Sequence, residues 1–154
     1  MSDQEFERAL TILLVEDSPT DALLVEEALA EALIVHQMHR VEDGVAALEF
    51  LRQEKEYDQA PRPDLILLDL NLPKKNGLEV LEIIKTDDAL KAIPVIVLTT
   101  SKAEEDIVKS YNLYANCYVI KPLGFDKFTE AVQAIREFWA RIVTMPPPAR
   151  SKNE

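Results

Sequence analysis

Four short apolar runs punctuate the chain: "TILLVED" (11–17), "DLILLD" (64–69), "PVIVLTT" (94–100) and "CYVIKP" (117–122). Each is nearly continuous rather than alternating, the pattern of parallel strands covered by helices on both faces. A fifth segment, "LIVHQMHRV" (33–41), mixes polar and apolar positions and suits a strand nearer a sheet edge.

Helical patterns fill the intervals. Ser18 is placed to cap a helix with Pro19 at its first position and Asp21 early in it. Asp43 can cap a second helix carrying Ala47, Leu48 and Leu51 as its apolar stripe. "GLEVLEIIK" puts Leu78, Leu81 and Ile84 on one face, and Ser101 opens a helix with an acidic first turn. The last helix carries Phe128, Val132, Ile135, Trp139 and Ile142 at four-three spacing. Strand and helix thus alternate five times, which predicts an α/β fold: a doubly wound parallel sheet with helices on both faces. Residues 55–63 read as an extended polar loop, and the proline-rich 144–154 as a disordered tail.

Composition narrows the function. The formal charge of −11 argues against a nucleic-acid or anionic membrane partner. Three glycines leave no glycine-rich phosphate loop, and a single cysteine, Cys117, forms no internal disulfide. The charged N-terminus lacks a signal-peptide core, and no apolar run reaches the ~18 residues of a membrane span. A cytoplasmic protein is expected.

The ends of the apolar runs hold the chemistry. Glu16-Asp17, Asp69, Thr99-Thr100 and Lys121-Pro122 each follow or close a run, so a parallel sheet brings them to one rim. Three clustered carboxylates repel one another, and a hard cation with oxygen ligands relieves this. Without Cys or His in the set, Mg²⁺ suits it better than zinc. The metal would also shield an incoming phosphoryl group, making Asp69 an apt nucleophile with Lys121 and the Thr99 hydroxyl on the remaining oxygens.

The motifs "VED" (15–17), "LLDLNLPKKNG" (67–77), "VLTTS" (97–101) and "YVIKP" (118–122), in this order, resemble the receiver domain of two-component response regulators. The resemblance implies a flavodoxin-like sheet of strand order 2-1-3-4-5 with five helices, spanning 11–143 after an N-terminal extension of residues 1–10. It matches Asp69 to the phosphoacceptor and Asp17 to the direct magnesium ligand, with Glu16 its acidic neighbour. Asn71 matches the residue whose backbone carbonyl binds the metal, Thr99 the switch hydroxyl and Tyr118 the switch aromatic. Lys121 matches the phosphate-binding lysine, before a proline usually cis in the family, and Pro73 and Gly77 match the turn after the acceptor. "LLDLNLPKKNGLEVL", the loop before the third strand and "KPLGFDKF" resemble stand-alone regulators that serve bacterial phytochromes. The implied partners are a sensor histidine kinase of the phytochrome type and a second copy docked through helix 4, strand 5 and helix 5. With only a short tail after Ile142, output is expected through protein contacts or phosphorelay.

Taken singly these residues are ordinary. A lone strand-end Asp is usually a cap, a lone Thr a strand residue and a lone Lys solvated; Tyr118 and Cys117 read as core. His36 and His39 read as surface residues and Lys74-Lys75 as a solvated pair, and Phe138, off its helix stripe, is weak grounds for a dimer face. Two rival functions are a phosphatase of the haloacid dehalogenase type and a receiver-like module that is never phosphorylated. The phosphatase needs a second Asp two residues after its nucleophile, where this chain has Asn71. The intact Glu16, Asp17, Asp69, Thr99 and Lys121 speak against the binding module. The protein is expected to assist its own phosphorylation and dephosphorylation without being a turnover enzyme.

Overall fold

The computed structural model describes residues 9–110, 115, 117–121 and 125–144. Five parallel strands form one sheet: β1 (Leu10–Val15), β2 (His36–Val41), β3 (Leu65–Asp69), β4 (Val95–Thr99) and β5 (Cys117–Ile120), in the order β2-β1-β3-β4-β5. The connecting helices are α1 (Pro19–Glu31), α2 (Gly44–Arg52), α3 (Gly77–Thr86), α4 (Lys102–Ser110) and α5 (Phe125–Thr144). From β1 the chain goes outward to β2 and then returns across β1 to β3. The reversal lies between β1 and β3, and the crevice beyond their carboxyl ends is where such sheets bind ligands.

The continuous apolar runs are explained by two cores. Leu13, Val15, Ile66, Leu68, Val95 and Val97 face α2 and α3, while Ile12, Leu14, Leu65, Leu67, Ile96 and Leu98 face α1 and α5. Successive strand residues point to opposite faces and both faces are covered, so no position in β3 or β4 is polar until its end. Each fully buried Leu, Ile or Val contributes roughly 1.5–3 kcal/mol, which makes this register hard to slip.

The helix starts follow the expected caps. The Ser18 hydroxyl accepts the Asp21 N–H at 3.2 Å, and the Asp43 carboxylate accepts that of Ala46 at 2.8 Å. At α3, for which the sequence reading named no cap, Asn76 and Glu79 cap reciprocally. On α3 the buried face is Gly77, Val80, Leu81 and Ile84, so Leu78 is displaced to a half-buried flank that Val80 was not expected to replace. On α5, Phe128 and Val132 are buried and Ile135 half-buried as the stripe requires; the side chains of Phe138, Trp139 and Ile142 lie outside the described residues.

Three readings need correcting. His36 and His39 are half-buried rather than surface residues. The His36 imidazole lies 2.8 Å from the Ile34 carbonyl oxygen and 3.1 Å from Glu26, and His39 packs its ring 5.5 Å from that of Phe50. A strand at the sheet edge is still covered on one face by α2, which the polar sequence of β2 hides. The loop after α2 is not simply extended: a 3₁₀ turn at Lys55–Tyr57 turns the Tyr57 ring onto Phe50 at 5.5 Å.

Candidate functional site

Because the strands are parallel, their last residues share one rim. Asp69 ends β3 and Thr99 ends β4, Glu16 follows β1, and Lys121 follows β5, its N–H donating to the Thr99 carbonyl at 2.8 Å. Glu16 and Asp69 are buried, at 0% and 2% exposure, whereas Asp17 is exposed and opens the cluster to solvent. One carboxylate oxygen from each of Glu16, Asp17 and Asp69 lies within 4.8 Å of the other two. The Lys121 ammonium reaches in from β5, 3.1 Å from Glu16 Oε1, 2.7 Å from Asp21 Oδ2 and 3.4 Å from Asp69 Oδ2.

The electrostatics follow from this crowding. Burial and the nearby Asp69 charge push the Glu16 carboxyl up to about 7, against the opposing pull of Lys121. Burial works against the Lys121 charge, but Asp21, Asp69 and Glu16 outweigh it and hold its pKa above the ordinary lysine value. Three acids around one ammonium leave net negative charge in a poorly hydrated crevice. All three converging donors are hard oxygens, with solvent access at Asp17 for retained waters; this fits Mg²⁺ and not a thiophilic metal.

Local structure keeps the carboxylates in place. The Ser18 N–H at the start of α1 donates to Glu16 Oε2 at 3.2 Å, and the Arg40 Nε donates to the Glu16 carbonyl at 2.9 Å. After Asp69, the Asn71 N–H donates to its Oδ1 at 3.0 Å and the Gly77 N–H to the Leu70 carbonyl at 3.0 Å. A methyl group on Gly77 would sit 2.5 Å from the Asp69 carbonyl oxygen, so the loop can close this tightly only over glycine. Lys74 takes a left-handed conformation (φ 67°) to complete the turn, and its ammonium lies 3.5 Å from Asp43 Oδ2.

The fold brings together Glu16, Asp17, Asp69 and Lys121. Thr99 stands at the same rim but is fully buried, its hydroxyl donating to the Val119 carbonyl at 3.4 Å. Asn71 is exposed; its amide donates to Glu104 Oε2 at 3.0 Å. Tyr118 is half-buried against the α2–α3 core, with the Lys109 ammonium 5.2 Å from its ring centroid, and burial pushes its phenol up. Asp21 was read only as an early-helix acid, yet it makes the shortest contact to Lys121. The available signal was its place in the first turn of a helix that starts at the carboxylate rim. Pro122 and residues 145–154 lie outside the described residues.

A parallel sheet of this strand order, with an acidic trio and a lysine at its carboxyl rim, defines a phosphoryl-handling receiver. The family model for the response regulator receiver domain matches residues 12–133, and the chain belongs to that family. It is 52% identical over 135 residues to the response regulator Rcp1 of Synechocystis sp., covering 88% of this chain and 92% of that one. Among solved structures it resembles the phosphorylated cyanobacterial phytochrome response regulator RcpA (50% identity, TM-score 0.72, 91% of this chain and 100% of that one). It also resembles the Mn²⁺-bound form of Rcp1 (51% identity, TM-score 0.70, 90% of this chain and 99% of that one). Receiver domains hold Mg²⁺ at this acidic pocket, and the trio of Glu16, Asp17 and Asp69 fits it. The family is one of response regulators in two-component signalling rather than of turnover enzymes. Among the described residues no helix is long and apolar enough to cross a membrane.

Proposed function

We propose that Asp69 is the phosphoacceptor, taking a phosphoryl group from the phosphohistidine of a cytoplasmic sensor kinase. The observation that carries this is a buried carboxylate held within 4.8 Å of two others and 3.4 Å from an ammonium. Asp69 carries the reacting oxygen: a P–O bond forms to it as the donor's P–N bond breaks and the imidazole leaves. Magnesium, when bound by Glu16, Asp17, Asp69 and the Asn71 carbonyl, supplies positive charge for the phosphoryl oxygens. Lys121, already at the pocket, pairs with those oxygens once they compete with Asp21. Thr99 then turns its hydroxyl from the Val119 carbonyl toward the new anion, and Tyr118 reorients in the space beside β5. The charge event at Asp69 thereby alters the face made by α4, β5 and α5, where a second copy would dock.

The similarity to regulators named for phytochromes supports a bacterial phytochrome as the kinase. Incubation with acetyl phosphate and Mg²⁺, followed by intact mass, tests the reading. One added phosphoryl, removed by hydroxylamine, is expected. Rapid multiple turnover of varied phosphate esters would point instead to a phosphatase, and no adduct under any condition to a binding module. Sedimentation with and without the phosphodonor tests the dimer; a monomer in both states at high concentration would sink it.

A further inference from the structure

The carboxylate of Glu104 is used differently from what its spacing suggests. Ser101-Lys102-Ala103-Glu104 has the arrangement of a reciprocal helix cap, in which the acid turns back to the capping residue's own N–H. At α3 that happens: Asn76 Oδ1 accepts the Glu79 N–H at 3.0 Å, and Glu79 Oε1 accepts the Asn76 N–H at 3.2 Å. At α4 the Ser101 hydroxyl accepts the Glu104 N–H at 3.1 Å, but the acid reaches past Ser101. Its Oε1 accepts the Thr100 N–H at 2.7 Å and the Thr100 hydroxyl at 3.3 Å, and its Oε2 accepts the Asn71 amide at 3.0 Å. Since the Asn71 N–H is itself on Asp69 Oδ1 at 3.0 Å, a continuous path joins Asp69, Asn71, Glu104 and Thr100. It ties the loop after β3, which carries the Asn71 N–H on Asp69, to the loop after β4.

We propose that Glu104 is a positioning residue for the aspartyl phosphate, its carboxylate clasping Asn71 and Thr100 so that the Asn71 peptide stays over Asp69 and hinders water there. The inference rests on Asp69 as phosphoacceptor. Glu104 touches none of the reacting atoms; it acts by ordering two loops through one shared carboxylate. Losing it frees the Asn71 amide and removes a side-chain link between these two loops.

A plain structural role exists: an acid in the first turn of α4 favours the helix dipole. Glu104→Gln separates the two, because it removes the charge but keeps an acceptor for Thr100, and the Asn71 amide can turn over to accept from it. Two readouts are needed on wild type, Glu104→Ala and Glu104→Gln: hydrogen–deuterium exchange of the metal-free protein, and decay of the aspartyl phosphate after the donor is removed. In Glu104→Ala, exchange is expected to quicken in residues 70–73 and 99–101 together. Its phosphoryl lifetime should shorten roughly three- to ten-fold, the scale of one ordinary hydrogen bond's net contribution. Glu104→Gln should lie nearer wild type in both. Faster exchange confined to α4, an unchanged or longer lifetime, or glutamine behaving as alanine does would each overturn the clasp. If wild type takes up no phosphoryl, the phosphoacceptor reading falls with the lifetime, and exchange alone still decides whether the two loops are tied.

Discussion

Asp64 and Asp69 flank the same strand and meet opposite fates. Asp64 precedes β3, half-buried, and takes the Thr11 N–H on its carboxylate at 2.9 Å while its own N–H reaches the Thr11 carbonyl at 2.7 Å. It staples the start of β3 to β1. Asp69, at the other end, is almost fully buried beside Glu16 and Asp17, and its neighbours include a lysine from the far strand. The difference is one of strand polarity. At the entry end a carboxylate finds a backbone donor on the adjacent strand, whereas at the exit end parallel strands gather several charges into one crevice. A local hydrogen bond makes the first residue structural; the second is set among like charges in a buried cluster.

Substitution at the two positions breaks the comparison most sharply. Asp69→Asn is expected to abolish phosphoryl uptake from acetyl phosphate by intact mass, with the fold intact by circular dichroism. Asp64→Asn should take up phosphoryl as wild type does and lose about 1 kcal/mol in urea unfolding, since the amide oxygen still accepts the Thr11 N–H but without charge. Uptake lost at Asp64, or retained at Asp69, would erase the distinction between the two ends.

Removing the lysine comes next. Lys121 is 11% exposed and balances Glu16, Asp21 and Asp69, so Lys121→Ala leaves buried acids without their cation. Metal-free stability should fall by roughly 3 kcal/mol, the scale of a broken buried pair. Magnesium should recover part of the loss, which chemical denaturation with and without chelator measures. At the entry end, Arg62→Ala removes only an exposed hydrogen bond to the Ala89 carbonyl and should cost less than about 1 kcal/mol.

The same cluster also makes stability depend on pH. The folded-state pKa of Glu16 is raised from 4.5 to about 7, so between those values the folded chain binds more protons than the unfolded one. Stability therefore falls as pH rises through this window in the metal-free protein, by at most about 3 kcal/mol from this group. Unfolding at pH 5 and pH 8 in chelator should show the loss, and Mg²⁺ at pH 8 should diminish it. A metal-free protein equally stable at both values would count against burial and Asp69 raising the Glu16 carboxyl.

Much of this was legible before any coordinates. The unbroken apolar runs of β3 and β4 imply strands covered on both faces, and the caps at Ser18, Asp43 and Ser101 depend on local hydrogen bonding alone. The trio of Glu16, Asp17 and Asp69 was legible because strand polarity places run ends together. What was missed depends on contacts between distant segments. His39 reads as a surface residue because β2 is polar, but the Phe50 ring of α2 covers it. Leu78 and Val80 compete for one face of α3, and only the packing against the sheet favours valine.

By itself the sequence determined the five-fold alternation, the helix starts and which residue types stand at the strand ends, because these follow from periodicity and from short-range hydrogen bonding. Tertiary structure decided what each charge faces. Asp21 lies 100 residues from Lys121 in the chain, yet its carboxylate sits 2.7 Å from that ammonium. The turn from the rim into α1 aims it there, and no local rule contains that direction. Asn71 likewise meets Glu104 only because β3 and β4 are neighbours in the sheet. Charge in a crevice acts through space, so its partners are set by where the strands end together rather than by their order along the chain.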